Sequence, residues 1–235
     1  MKHNQVRQVV FPILTAFIWG TSFVAQDICA DVMGAFTFNA SRYYIATLAL
    51  LVLVTVRAAA EKKEERPSLS REEKKSARRQ LWLGGFCCGT ALAFASNFQQ
   101  AGMVAGTDSG KAGFLTALYV VLVPLLGVFF GRRPGVKLGI CACISLAGLY
   151  LLCLAGHDTL TLTGGEWMLL LCSLLFAFQI MLVDHYSPRL DGVQLSFAEF
   201  FATAVLSTIF MFVFETPTFA QIQGAAVSIA YCGIL

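Results

Sequence analysis

The sequence predicts an all-α polytopic membrane protein with eight transmembrane helices. Its 235 residues are 57% hydrophobic and only 13% charged, whereas a soluble domain carries about 25% charged residues. Fourteen of the charged side chains fall within residues 57–79, so too few are left to cover a water-soluble surface. Long windows without charge, such as 80–107, are long enough for a helix to cross a bilayer.

The charge-free windows define the eight helices in order. A hydrocarbon core of about 30 Å requires about 20 apolar residues in a helix, and the apolar runs lack the alternation of barrel strands. We expect helices near 9–26, 36–56, 81–104, 112–130, 136–154, 167–183, 193–214 and 222–235. The first helix is too long for a signal peptide. The last ends the sequence after about 18 Å of helix beyond residue 223, so we expect the natural chain to continue.

The basic residues predict the orientation of these helices. With a cytoplasmic N-terminus, the outer segments hold only Lys111, while fifteen of the seventeen basic residues fall in inner segments 1–8, 57–80, 131–137 and 184–192. Basic residues are enriched in cytoplasmic loops, which predicts a multi-pass plasma-membrane protein. The 57–80 loop mixes both charge signs without aromatic residues. We interpret it as a solvated connector, or alternatively a segment attracted to anionic lipid, and expect no nucleic-acid partner.

The residues that usually carry chemistry favour neither a metal site nor catalysis. Most of the eight cysteines lie in predicted helices, where cysteine acts as a small apolar residue. The three histidines are far apart, whereas a metal site requires clustered ligands. The sequence contains no P-loop, H-E-x-x-H or G-x-S-x-G motif. We therefore expect no cofactor, no metal ion and no enzymatic activity.

An offset of 157 residues superimposes the first predicted helix on the sixth. The aligned pairs are Trp19 with Phe176, Ser22 with Gln179, Asp27 with Asp184, and Arg42 with Glu199. Arg42 and Glu199 are the only charges embedded within the predicted helices. The matching helices run in opposite directions, so the two copies would be inverted, as in many secondary transporters.

Polar residues within the predicted helices are candidates for lining a substrate cavity. An embedded charge usually faces a bundle interior, a partner or water. Glu199 would carry a proton or bind a cationic group, unless it is only hydrogen-bonded near the interface; Arg42 would bind substrate, anchor its helix or form an ion pair. The candidate set is Trp19, Ser22, Arg42, Asn97, Gln100, Tyr119, Gln179 and Glu199. Embedded polar residues either line cavities or bind neighbouring helices, and the sequence leaves both alternatives open.

Two further patterns concern packing. Gly85 and Gly89 are four residues apart in the third predicted helix, a spacing that indicates close contact with another helix. Pro124 predicts a kink in the fourth helix, because proline frees a backbone carbonyl.

Segments 18–26, 36–42 and 96–124 together resemble the EamA-like branch of the drug/metabolite transporter superfamily. The resemblance extends over essentially the whole chain and is sharper in its first half. It implies a ten-helix bundle of two inverted five-helix repeats, with 1–156 as the first repeat and 157–235 as an incomplete second. Arg132 and Arg133 follow Gly131 where the family commonly has Gly-Glu, and the ninth and tenth helices are missing.

These observations favour a secondary transporter that exports a small polar or amphipathic metabolite by alternating access. The expected driving ion is the proton, with Glu199 as the only embedded acid. The expected partners are the metabolite, the lipid bilayer and a second copy in a homodimer. The alternatives are a non-transporting membrane scaffold or sensor and an inactive truncated transporter; a membrane enzyme ranks below them.

Overall fold

The computed structural model describes residues 2–61, 71–131, 135–153 and 162–234, and within those ranges it contains helices and no strands. The helices are α1 (Lys2–Ala30), α2 (Ala35–Glu61), α3 (Arg71–Val104), α4 (Ser109–Ala117), α5 (Tyr119–Phe129), α6 (Val136–Cys153), α7 (Gly164–Tyr186), α8 (Gly192–Phe214), α9 (Phe219–Gly224) and α10 (Ala226–Ile234). The predicted all-α class is confirmed. The predicted division between residues 156 and 157 lies outside the described residues, as do Arg132 and Arg133.

Six helical segments within the described ranges are long and apolar enough to cross a membrane: Val9–Ala30, Ala35–Ala60, Arg71–Val104, Ser109–Phe129, Gly164–Arg189 and Gly192–Phe214. The fifth predicted helix forms as α6, with a shorter apolar stretch over Gly139–Gly148. The eighth predicted helix, near 222–235, is divided into α9 and α10, which meet at Ala225. The molecule is therefore a polytopic bundle, while the count of eight membrane spans stays a prediction.

The charged segment 57–80 is helical wherever the structure describes it. α2 continues to Glu61 and α3 begins at Arg71, so the helices extend beyond the predicted bounds at 56 and 81. Glu, Lys, Arg and Ala are strong helix formers. Glu72 and Glu73 in the first turn of α3 also complement the positive end of the helix dipole. The segment between α2 and α3 is therefore shorter than the predicted connector. Residues 62–70 lie outside the described residues.

The fourth predicted helix is two helices that meet at Leu118. The amide of Leu118 donates to the carbonyl of Leu115 at 3.3 Å, and the amide of Val121 donates to Leu118 at 2.9 Å. These three-residue spacings tighten the chain locally. Pro124 lies inside α5. A proline ring clashes sterically with the carbonyl group four residues earlier in a helix. The distortion therefore precedes the proline and places Tyr119 at the start of α5.

α3 is the central helix of the bundle and packs extensively on both α7 and α8. The hydroxyl of Thr203 in α8 donates to the carbonyl of Gly89 at 3.0 Å, and a Cβ at Gly89 would lie 2.5 Å from the carbonyl oxygen of Glu199. Gly85 meets Ala198 of α8 in the same way. The close contact predicted from these two glycines is confirmed.

Buried amides join α2, α3 and α8. The side-chain amide of Asn39 donates to the Asn97 oxygen Oδ1 at 2.8 Å and to the carbonyl of Ser96 at 2.9 Å. Asn97 in turn donates to the hydroxyl of Ser207 at 3.0 Å. Side-chain hydrogen bonds of this kind hold membrane helices together, so the polarity of Asn97 serves packing between helices.

A carboxylate caps the first turn of α2 from the end of α8. Glu215 follows α8, and its two oxygens accept from the amides of Phe36 at 2.9 Å and Thr37 at 2.8 Å. The hydroxyl of Thr37 also donates to it, at 2.6 Å. The first amides of a helix have no partner within the helix, and a negative charge there is favourable. We call this contact the Glu215 cap.

An ion pair joins the first turns of α4 and α7. The ammonium group of Lys111 contacts the carboxylate of Glu166. The second oxygen of Glu166 accepts from the amide of Thr163 at 2.8 Å, and the Thr163 hydroxyl accepts from the amide of Glu166. This capping box begins α7 three residues before the predicted start. The Glu215 cap and the Lys111–Glu166 pair thus join four helices through two carboxylates.

Candidate functional site

A cavity of about 370 Å³ lies between α1, α2, α3, α7 and α8. This volume falls within the range of small-molecule sites. The lining combines aromatic, amide and charged side chains: Trp19, Ser22, Phe23, Gln26, Arg42, Tyr43, Leu92, Gln99, Phe176, Gln179, Ile180, Val183, Ser196, Glu199 and Phe200. Five of the eight candidate residues are among them, namely Trp19, Ser22, Arg42, Gln179 and Glu199.

Arg42 brings a positive charge to the cavity from α2. Its side chain is buried, with 8% of the residue exposed, and the guanidinium carbon lies 4.8 Å from the ring centre of Tyr43 and 5.2 Å from that of Phe38. Nη2 donates to the Tyr43 hydroxyl at 3.4 Å, whereas the buried Nε has no hydrogen-bond partner among the described residues. The aromatic rings stabilise the cation.

Glu199 brings the opposite charge from α8. It is 4% exposed, and its oxygen Oε1 accepts a hydrogen bond of 2.5 Å from the amide of Gln179 in α7. Among the described residues, Glu199 and Arg42 form no salt bridge with one another. The cavity therefore contains two buried ionisable groups that do not pair with one another, an arrangement that is costly in a membrane unless water or a ligand contacts them.

Aromatic side chains form the apolar wall of the cavity. The ring centres of Trp19 in α1 and Phe176 in α7 are 6.2 Å apart. Tyr119 at the start of α5 lies edge-on to Trp19 at 5.9 Å and is 6.2 Å from Phe176. Tyr119 is thus placed behind the lining, where it supports the two rings that face the cavity.

Two amides that the candidate set omitted line the cavity. Gln26 in α1 is 2% exposed, and its buried oxygen Oε1 has no hydrogen-bond partner among the described residues. Its amide group lies 3.5 Å from the hydroxyl of Ser22. Gln99 in α3 donates to the hydroxyl of Thr116 at 3.3 Å. Since helical residues four apart share a face, the position of Ser22 could have indicated Gln26.

Asn97 and Gln100 lie outside the cavity lining. Asn97 belongs to the amide contacts between α2, α3 and α8 described above, and Gln100 donates to the carbonyl of Gln26 at 3.1 Å. The amide of Gln100 thus supports the segment of α1 that carries Gln26. Both residues are buried, and their roles in substrate binding stay predictions.

The sequence indicated the other lining residues absent from the candidate set with different clarity. Phe176 aligns with Trp19 at the 157-residue offset, so the repeat could have identified it. Tyr43 follows Arg42 directly in sequence. Ser196 is one turn before Glu199 on the same helix, but a serine in a helix has many structural uses, so its sequence gave little indication. Within the described ranges, no group of three or more metal-ligating side chains clusters.

The apolar helices define a multi-pass membrane protein, and the cavity between them has room for a small solute. Residues 7–154 match the EamA-like transporter family, and the chain belongs to that family, as the sequence predicted. It is also 30% identical over 207 residues to a protein of Archaeoglobus fulgidus named an uncharacterized transporter. The match covers 88% of this chain and 58% of that protein's length. No solved structure matches the chain.

Proposed function

We propose that this protein is a secondary transporter that exports a small polar or amphipathic metabolite by alternating access. The observation that carries the proposal is the cavity, because it places charged and amide side chains inside a bundle of apolar helices. A structural scaffold gains nothing from buried charges without ion-pair partners. A transport site requires such groups, since they replace the water that a polar solute loses on entering the bundle.

The inverted repeat belongs to this proposal. Three pairs aligned by the 157-residue offset share the cavity: Trp19 with Phe176, Ser22 with Gln179, and Arg42 with Glu199. Transporters built from inverted repeats bind substrate at the repeat interface, so the convergence of these pairs supports the relation. The complete bundle would contain ten helices in two inverted repeats.

The distribution of basic residues gives the membrane orientation that we propose. The N-terminus would be cytoplasmic, because the inner segments then hold nearly all of the basic residues. The helices that begin at the Glu215 cap and the Lys111–Glu166 pair would then begin on the outer side of the plasma membrane. A homodimer remains part of the proposal.

Proton coupling would occur at Glu199. Apart from the hydrogen bond from Gln179, the titratable or charged groups that approach it or share its cavity are Cys88, Arg42 and Tyr43. Glu199→Gln keeps a hydrogen-bonding side chain of the same size and removes the exchangeable charge. We expect the pH dependence of transport to disappear in this variant; an unchanged pH dependence would exclude Glu199 as the coupling group.

Flux measurements in proteoliposomes test the transport function. Vesicles carrying the native full-length protein are loaded with small-molecule extract from its own cells, and mass spectrometry identifies the solutes that leave. We expect at least one solute to leave faster than from protein-free vesicles. Arg42→Gln should slow that flux about tenfold or more, as expected for a buried charged contact. The matched control is Arg57→Gln, at an exposed position of the same helix.

The scaffold or sensor alternative makes the opposite prediction. It predicts that no solute in the extract redistributes in a protein-dependent manner, at any imposed pH gradient. Loss of flux in Arg57→Gln equal to that in Arg42→Gln would also contradict the assignment of the cavity as the transport site.

A further inference from the structure

α3 is longer than a membrane crossing requires. Its 34 residues correspond to about 51 Å of helix, whereas the hydrocarbon core of a bilayer is about 30 Å thick. The apolar part of the helix begins at Leu81, so the turns from Arg71 to Gln80 project beyond the core. Every residue of these turns whose side chain the structure describes is exposed. The helix therefore presents a charged surface where it leaves the membrane.

Basic side chains share one face of this projecting part of α3. Each residue turns an α-helix by about 100°, so four basic residues fall within an arc of about 100° around the axis: Arg71, Lys75, Arg78 and Arg79. Glu72 borders this arc and Glu73 lies well outside it, and both belong to the first turn, which is farthest from the core. The turns nearest the membrane thus carry positive charge on this face. We call these four basic residues the basic face.

The two arginines of the basic face lie at the depth of lipid headgroups. Arg78 and Arg79 precede Leu81 by about 3–5 Å along the helix axis, and the headgroup layer extends about 5–8 Å beyond the core. Among the described residues, no carboxylate forms a salt bridge with either arginine. A guanidinium group binds phosphate through two parallel hydrogen bonds. The counter-charge that suits these arginines is therefore the phosphate of a lipid.

Aromatic side chains continue the basic face into the core. Trp82 follows Arg78 by about one turn and is 43% exposed, and its ring lies edge-on to that of Phe201 in α8, with ring centres 6.1 Å apart. Phe86, a further turn along α3, is 59% exposed. Tryptophan is enriched at the membrane–water interface. A molecule that covers this whole face therefore needs an anionic head and an apolar tail.

We propose that the basic face of α3 binds an anionic phospholipid. The lipid phosphate contacts Arg78 and Arg79, Lys75 lies beside the headgroup, and an acyl chain lies along Trp82 and Phe201. With the proposed membrane orientation, this lipid belongs to the cytoplasmic leaflet, where basic segments next to membrane helices attract anionic lipids. Lipid binding does not require transport and can be measured without flux.

Quenching of Trp82 fluorescence by brominated lipids tests the inference in the native full-length protein. Every tryptophan except Trp82 is replaced by phenylalanine, and the protein is reconstituted in mixtures of phosphatidylglycerol and phosphatidylcholine. Bromine on the acyl chains of one lipid or the other reports which of them contacts Trp82. One basic residue near a membrane surface corresponds to about a fivefold gain in binding. We therefore expect phosphatidylglycerol to be preferred about tenfold or more, and about 1 M salt to reduce the preference.

Variants assign the preference to the two arginines. Arg78→Gln combined with Arg79→Gln should bring the preference for phosphatidylglycerol close to one. Arg78→Lys combined with Arg79→Lys keeps both charges and should retain part of the preference. Arg57→Gln is the matched control, because Arg57 is an exposed basic residue of α2 at the same end of the bundle, and it should leave the preference unchanged. An equal loss in this control would show a general surface attraction and overturn the assigned site.

The outcomes separate this inference from transport. Equal quenching by the two lipids overturns the lipid site, even if a solute shows flux. A strong preference for phosphatidylglycerol without flux of any solute would support the lipid site and reject the transport function. If the altered proteins fail to fold, native mass spectrometry of the unaltered protein still decides: it should retain phosphatidylglycerol in excess over phosphatidylcholine, and equal retention would overturn the inference.

Discussion

Replacing Gly89 by alanine tests the central helix contact directly. The added Cβ would lie 2.5 Å from the carbonyl oxygen of Glu199 and 2.7 Å from the Cβ of Ala202. Real Cβ atoms essentially never approach closer than 3.0 Å, so α3 and α8 must separate by about 0.5 Å or more. The first obstacle is backbone, which cannot rotate away as a side chain does.

The expected cost follows from overpacking. Forcing an extra carbon into a well-packed contact costs about 1–3 kcal/mol, and the separation also weakens the Thr203 hydrogen bond to Gly89. For a chain of this length, about 1 kcal/mol corresponds to about 2–4 °C in the unfolding midpoint. We therefore expect Gly89→Ala to unfold several degrees below the unaltered protein in detergent micelles.

Gly20→Ala provides the matched control, because it makes the same chemical change in α1. No atom lies within 4 Å of the Cβ that it would add, and alanine favours a helix over glycine by up to about 1 kcal/mol. This variant should unfold at the same temperature or higher. If Gly89→Ala were as stable as Gly20→Ala, the close approach of α3 and α8 would be incorrect.

Two further predictions concern the carboxylates that join helix ends. Glu215→Ala removes the acceptor for both early amides of α2 and should cost about 0.5–2 kcal/mol, the usual range for a helix cap; an unchanged unfolding midpoint would contradict the Glu215 cap. Lys111→Ala and Glu166→Ala both break one ion pair, but Glu166 also accepts from the Thr163 amide. We expect Glu166→Ala to lower the midpoint further than Lys111→Ala; the reverse order would show that leaving the Glu166 carboxylate without its cation costs more than losing the capping box.

The sequence predicted the bounds of α8 well, but it misplaced the ends of α2 and α3 in the charged segment and missed the breaks within charge-free sequence. α8 begins within one residue of its expected start and ends at its expected end, because charged residues flank a continuous apolar run. The break at Leu118 and the division at Ala225 occur inside charge-free sequence. They depend on local hydrogen bonds, which composition does not reveal.

In the candidate site, too, the sequence could identify some residues and not others. Arg42 and Glu199 could be identified because a lone charge within an apolar run requires an explanation. Asn97 and Gln99 are equally polar and only two residues apart, yet one contacts neighbouring helices and the other lines the cavity. Two residues along a helix turn by about 200°, so only the packing of α3 determines which amide faces which neighbour.

The contacts of α3 with α8 also impose an order on biosynthesis. Asn97 is bonded to Ser207, 110 residues later in the chain, and the carbonyl of Gly89 receives Thr203, 114 residues later. At about 5–20 residues per second, α3 leaves the ribosome on the order of 5–20 s before these partners exist. During that interval the side chain of Asn97 has partners only on α2 and within α3. The contacts of α3 with α8 therefore form only after α8 has been synthesised.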